Sequence, residues 1–179
     1  MDQQRLETLL NNSTKITNGS FTLEETGTDA TLRKIHLIDI PNDAIIVKMD
    51  DVKFLKFLKP NKELGYNKHS DYMLIVSNKV VFFELKSKTE VNDSLNEECI
   101  KKFSSDLCVT KYSDSIFEVL LNEGTFFNGK EIHYVLLYQL PLASKNPTIY
   151  TQYPPNFTPV EYRRLSVSND SVISFSRAI

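Results

Sequence analysis

Apolar residues change their spacing along this chain, and the change separates strand-like from helix-like stretches. Residues 69–88 read HSDYMLIVSNKVVFFELKSK, in which Tyr72 to Val76 and Val80 to Phe83 are apolar throughout. Such runs predict central strands covered on both faces, with Ser77, Asn78 and Lys79 the turn signal between them. Upstream, TLRKIHLIDI and AIIVKMD are shorter β-like runs separated by the turn Pro41 to Asp43. Residues 3–11 suit a short helix with Leu6, Leu9 and Leu10 on one side, and turn formers follow at 11–20. Residues 51–59 suit a helical turn capped by Asp50 or Asp51 and ended by Pro60, with a polar loop over 61–70.

After Lys88 the period becomes four. Leu95, Cys99, Phe103 and Leu107 predict a helix packed on a sheet, and Ser94 with Glu97 reads as its capping box. A second helix is predicted over SDSIFEVLLNEG, with Gly124 as its stop. EIHYVLLYQL predicts a strand, and Pro147, Pro154, Pro155 and Pro159 punctuate a long loop. EYRRLSVS and SVISFS predict a closing hairpin. The order predicts one α/β domain over residues 1–179, a central mixed sheet flanked by helices.

With 179 residues the chain has room for one substantial core, and 41% hydrophobic with 25% charged residues is ordinary for a globular protein. The formal net charge of −2 gives no global attraction for nucleic acid, although a local basic groove remains compatible with it. Cys99 and Cys108 have neither metal nor disulfide-framework spacing and read as small hydrophobes of a reducing compartment. The first ten residues lack a signal-peptide layout, and no apolar stretch approaches the roughly 20 residues of a membrane span. The expectation is a cytoplasmic protein without a membrane partner.

Three polar residues stand out in the strand pair. Glu84 and Lys86 lie two apart and project to one face. If Ser77-Asn78 form the loop, Asp71 faces Glu84; if Asn78-Lys79 form it, Asp71 faces Lys86. A three-residue loop throws Asp71 to the other side. Either two-residue register yields an Asp–Glu–Lys cluster, because opposed Cβ atoms lie within about 5.5 Å. Two close carboxylates repel unless a proton or cation lies between them, and their oxygens suit Mg²⁺ or Mn²⁺. A neighbouring lysine orients or helps activate a water, or neutralises charge developing on a phosphate.

Asp71 with Glu84-Leu85-Lys86 on adjacent strands, followed by a helix, resembles the PD-(D/E)XK nuclease superfamily, whose fold is restriction-endonuclease-like. SDYMLIVSNKVVFFELKSK is similar to small uncharacterised bacterial members in which an Asp-Tyr-Leu strand precedes a Phe-x-Glu-Leu-Lys strand. The resemblance covers about residues 50–140. It implies that Asp71, Glu84 and the Leu85 main-chain carbonyl bind the metal, and that Lys86 is the catalytic lysine. It implies a Mg²⁺-dependent or Mn²⁺-dependent nuclease acting on DNA in preference to RNA. Ser70 stands where the family's name has proline. Many members carry a glutamine in the following helix, where this chain offers Lys102 as a phosphate contact. Many also have a glutamate in the first helix, for which Glu7 is the candidate.

Other residues carry weaker signals. His36, His69 and His133 are scattered, and only His69 is placed to line a cleft beside Asp71. Lys62, Lys68, Lys101, Lys102, Arg163 and Arg164 are candidates for a phosphate-tracking surface. Tyr134, Tyr138, Tyr150, Tyr153 and Tyr162 offer faces for base stacking, although strand tyrosines ordinarily pack in cores. Three alternatives stand beside the nuclease. Glu84 and Lys86 can form an ion pair at an exposed strand end. The fold can serve as a catalytically silent binding module in a larger defence or repair assembly, or the chain can be a plain α+β interaction protein. Specificity in a nuclease this small would come from a homodimer or a partner subunit.

Overall fold

A computed structural model describes residues 10, 13–25, 29–49, 68–140 and 158–179. The helices expected over 3–11 and 51–59, Glu7, Lys62, Tyr150, Tyr153 and most of the Pro-punctuated loop lie outside the described residues. The described chain runs β1 (Ser13–Lys15), β2 (Phe21–Glu24), β3 (Lys34–Ile38), β4 (Ile45–Lys48), β5 (Tyr72–Val76), β6 (Lys79–Lys86), α1 (Asp93–Val119), β7 (Glu131–Gln139), β8 (Arg163–Val167), β9 (Ser171–Ser174) and the single turn α2 (Phe175–Ala178). It is an α/β structure with a six-stranded mixed sheet in the order β1-β4-β5-β6-β7-β8 and a three-stranded sheet, β2-β3-β9. Strands β1, β4, β5 and β6 are antiparallel neighbours, whereas β7 and β8 run parallel to β6. No helix among the described residues is long and apolar enough to cross a membrane.

The hairpin takes the first of the two-residue registers. Tyr72 pairs with Phe83 and Val76 with Lys79, leaving Ser77-Asn78 as the loop. The apolar runs are central strands, and every residue of β5 is buried. At the open end the ladder breaks its regularity. The Asp71 N–H donates to the Phe83 carbonyl at 3.0 Å, although the residue paired with Phe83 is Tyr72.

The two faces of the large sheet are covered differently. Met73, Ile75, Phe82, Tyr134 and Leu136 pack against Leu95, Cys99 and Phe103 of α1. Leu74, Val81, Phe83, Val135 and Leu137 pack against Leu23, Ile35, Leu37 and Ile173 of the small sheet. The expected flanking helices are thus one helix on one face and a sheet on the other, among the described residues. Strand β3 shows why, since it buries Ile35 and Leu37 in alternation with more exposed neighbours, the one-sided pattern of a covering layer.

Three sequence expectations are corrected along α1. One helix of 27 residues replaces the predicted pair. Its buried face continues through Asp106, Val109, Thr110, Ser113, Asp114 and Phe117, so polar residues extend an inward face that an apolar pattern alone loses. The helix ends at Val119, before Gly124, whose φ of +73° belongs to the loop beyond. Its cap is Asn92, whose side chain accepts the Leu95 N–H at 2.9 Å, and not Ser94.

The closing hairpin is also corrected. Strand β8 joins β7 in the large sheet, whereas β9 joins β3 in the small one. The connection is held to β3. Asn169 Oδ1 accepts the N–H groups of Arg33 and Lys34 at 2.8 Å, and the Asp170 N–H donates to the Lys34 carbonyl. These bonds divert the chain between sheets where a hairpin would have folded it back.

The capping assignment has a direct check. Asn92→Ala removes the Leu95 acceptor and should cost about 1 kcal/mol of stability. Ser94→Ala, at an exposed position, should change it by less than about 0.5 kcal/mol. Urea unfolding of both variants measures the difference, and equal losses would contradict the Asn92 cap.

Candidate active site

Strand alternation carries Glu84 and Lys86 to the α1 side of the sheet, the side of Phe82. Glu84 is fully buried, and its Oε1 lies 2.9 Å from Lys86 Nζ and 2.6 Å from Lys102 Nζ. Its other oxygen, Oε2, is buried without a hydrogen-bond partner among the described residues. Asp71 converges on the same place, with Oδ1 4.0 Å from Lys102 Nζ. The Asp71 carboxylate acts where the ladder ends. Beyond the first residue of β5, the Leu85 N–H donates to Asp71 Oδ2 at 2.6 Å, a side chain standing in for a main-chain acceptor.

The structure therefore brings together Asp71, Glu84, Lys86 and Lys102. Leu85 contributes main chain, because its side chain packs in the opposite core. Lys68 is exposed; burial would raise the Glu98 carboxyl, but Lys86 above all, then Lys102 and Lys68, hold it below the usual range. The exposed-end ion-pair alternative is removed, since Glu84 has no exposure at all.

Glu98 belongs to the cluster and was not foreseen. It accepts from Lys86 Nζ at 3.0 Å. Its signal in the sequence is its spacing, one helical turn before Lys102. That spacing continues along α1 through Asp106, Thr110 and Asp114, a polar row beside the apolar one. His69, expected in a cleft, is instead buried, with Nδ1 3.1 Å from Asp106 Oδ1. Asp106 also accepts the Ser70 N–H at 3.2 Å, which fixes α1 to the segment leading into Asp71. Burial pushes the Asp106 carboxyl up, against the pull of His69 and Ser70.

The two arginines do not form one basic surface. Arg163 donates to the main-chain carbonyls of Arg177 and Ile179, whereas Arg164 donates to Asn96 of α1 at 2.7 Å. Adjacent strand residues point to opposite faces. Tyr134 and Tyr162 are core residues around Phe103, so neither offers its ring to a base.

Burial, and then the charge of Asp71, raise the Glu84 pKa to about 7, although Lys102 and Lys86 both oppose the shift. Burial alone would lower the lysines. Glu84 and Glu98 outweigh it at Lys86, and Glu84 and Asp71 outweigh it at Lys102, so both amines hold their protons more tightly than usual. Asp71 and Glu98 continue to hold the ammonium groups when Glu84 is protonated. Among the described residues no group of three or more His, Cys, Asp or Glu side chains is arranged to hold a metal. Asp71 and Glu84 are the two oxygen donors of the cluster that face one another across a cation.

Comparison with known proteins finds no matching family model, no matching curated protein and no matching solved structure.

The elevated Glu84 pKa predicts a pH dependence. A carboxyl raised from 4.5 to about 7 favours its protonated form in the folded protein. Its contribution is complete below about pH 4.5 and is lost as pH rises through about 7. In metal-free buffer the stability of wild type relative to Glu84→Gln should therefore fall by about 3 kcal/mol between pH 4.5 and 8. Urea unfolding across that range reads the difference. A difference that stays constant would mean that Glu84 ionises alike in both states.

Proposed function

We propose that this protein is a metal-dependent nuclease of restriction-endonuclease-like architecture that hydrolyses phosphodiester bonds, in DNA before RNA. The observation that carries the reading is the convergence of Asp71, Glu84 and Lys86 on one face, with a buried Glu84 oxygen that has no hydrogen-bond partner among the described residues. An acid and Glu-x-Lys on adjacent antiparallel strands, followed by a helix that returns to a parallel strand, support the resemblance on which the DNA preference rests.

The donor set suits the implied cation. Mg²⁺ is commonly held through one or two carboxylates and keeps several waters, and Asp71 and Glu84 supply hard oxygens of that kind. Those carboxylates, with the Leu85 main-chain carbonyl, would hold Mg²⁺ or Mn²⁺. The ion, when bound, supplies Lewis-acid polarisation of a phosphoryl oxygen and lowers the pKa of water.

The chain's own groups have separable tasks. Lys86 keeps its proton, so it acts as a cation and not as a base. Aimed at the scissile phosphate, its ammonium stabilises the negative charge that develops in the transition state. Glu98 and Glu84 together hold Lys86. Lys68 and Lys102 are the cations available for flanking phosphates.

One observation favours a second reading, a catalytically silent module that binds nucleic acid with a partner subunit or a second copy. Lys102 already supplies a cation between Glu84 and Asp71, so the acids are neutralised without metal.

The test is cleavage of mixed DNA and RNA substrates with Mg²⁺, Mn²⁺ or chelator. Wild type should cut in either metal and stop in chelator. Lys86→Ala, matched for folding by circular dichroism, should lose on the order of 10²-fold in rate. Cleavage unaffected by the substitution removes Lys86 from the chemistry. A folded wild type inert in every metal favours the silent module.

A further inference from the structure

The two lysines of the cluster share one carboxylate oxygen and differ in their second partner. Lys86 Nζ lies 2.9 Å from Glu84 Oε1 and 3.0 Å from Glu98 Oε1. Lys102 Nζ sits between Glu84 Oε1 at 2.6 Å and Asp71 Oδ1 at 4.0 Å. Lys102 is thus the ammonium that bridges Asp71 and Glu84, and a cation bound jointly by those two acids would take over its role.

The two side chains also differ in what holds them. Lys86 is anchored in a central strand. Lys102 reaches down from α1 on a flexible stem, and Glu98 lies one turn before it, half open to solvent. An ammonium leaving the acids has a carboxylate within one helical turn on the side facing the solvent.

We propose that Lys102 is a displaceable internal cation: it closes the Asp71–Glu84 site while no metal is bound, and a divalent ion expels it towards the mouth of the site. The proposal rests on the nuclease reading, because it takes Asp71 and Glu84 as the metal's donors. Two consequences follow from the geometry. The closed form lowers the apparent metal affinity by the fraction of molecules in which Lys102 has not yet left. Lys102 also becomes available to a substrate phosphate only after metal has displaced it, which orders the two binding events.

The experiment measures binding and side-chain exposure, not turnover. Mn²⁺ is titrated calorimetrically into wild type and Lys102→Met, and lysine acetylation of wild type is followed by mass spectrometry with and without Mn²⁺. Exposed Lys68 serves as the internal reference. Lys102→Met should bind Mn²⁺ about tenfold or more tightly than wild type, as expected when a competing closed state is removed. In wild type, Mn²⁺ should raise acetylation of Lys102 several-fold relative to Lys68. The acetylation arm uses the unaltered protein, so it decides the matter even if the variant fails to fold. Equal Mn²⁺ affinities with unchanged Lys102 acetylation overturn the displacement and leave the nuclease reading standing. Weaker binding by Lys102→Met also overturns it, since Lys102 would then assist the metal. Absence of Mn²⁺ binding in both proteins overturns the nuclease reading and the displacement together.

Discussion

A carboxyl with no exposure, in the middle of a central strand, is expensive to bury unless other groups answer its charge, and Glu84 is such a group. An ionised side chain moved from water to a protein interior costs several kcal/mol before compensation. The compensation comes from three directions. Lys86 lies two residues along the same strand, Lys102 descends from the helix above, and protonation becomes accessible near neutral pH. Removing any one leaves charge poorly matched in a place that water does not reach. The path of α1 over the sheet, the placement of Asp71 and the direction of Lys86 all bear on this one carboxylate.

The helix is correspondingly held by polar contacts as well as by its apolar face. Lys102 meets Glu84, Asp106 meets His69 and Ser70, and Asp114 accepts the N–H groups of Phe126, Phe127 and Asn128. These residues recur every fourth or eighth position, so one side of α1 is pinned to the start of β5 and to the loop before β7. Hydrogen bonds have directions that apolar contacts lack, and they restrict the helix to one rotation and one depth. The site and the fold therefore share a framework. Asp106 positions the segment into Asp71 one turn away from the lysine that meets Asp71 itself.

The central hairpin was legible because Tyr72 to Val76 and Val80 to Phe83 admit no exposed face. The strand at 131–140 was legible from its high β-propensity. The first two strands were not read. Ser13–Lys15 of the large sheet and Phe21–Glu24 of the small one are too short, and too rich in turn formers around them, to register as strands. The division of α1 into two helices arose because the apolar row at Leu95, Cys99, Phe103 and Leu107 gives way to Asp106, Thr110 and Asp114, which are buried on the inward face. Ser94 and Glu97 offered a plausible cap, but Asn92 two residues earlier has the geometry that Leu95 uses.

The sequence by itself determined that Glu84 and Lys86 share a face, because side-chain direction alternates in any strand. It narrowed Asp71 to that face under either two-residue turn, and left the choice of partner to the turn. Tertiary structure decided the rest. The pairing of Tyr72 with Phe83 chose the register, and just before the first paired residue of β5 the Asp71 carboxylate meets the Leu85 N–H. Only the packing of α1 against the sheet could bring Lys102 and Glu98 to the strand residues, from positions 12 or more residues away in the chain. The same packing sealed Glu84 from solvent. A residue's face is a local property of the backbone, whereas its neighbours, burial and charge state belong to the assembled layers.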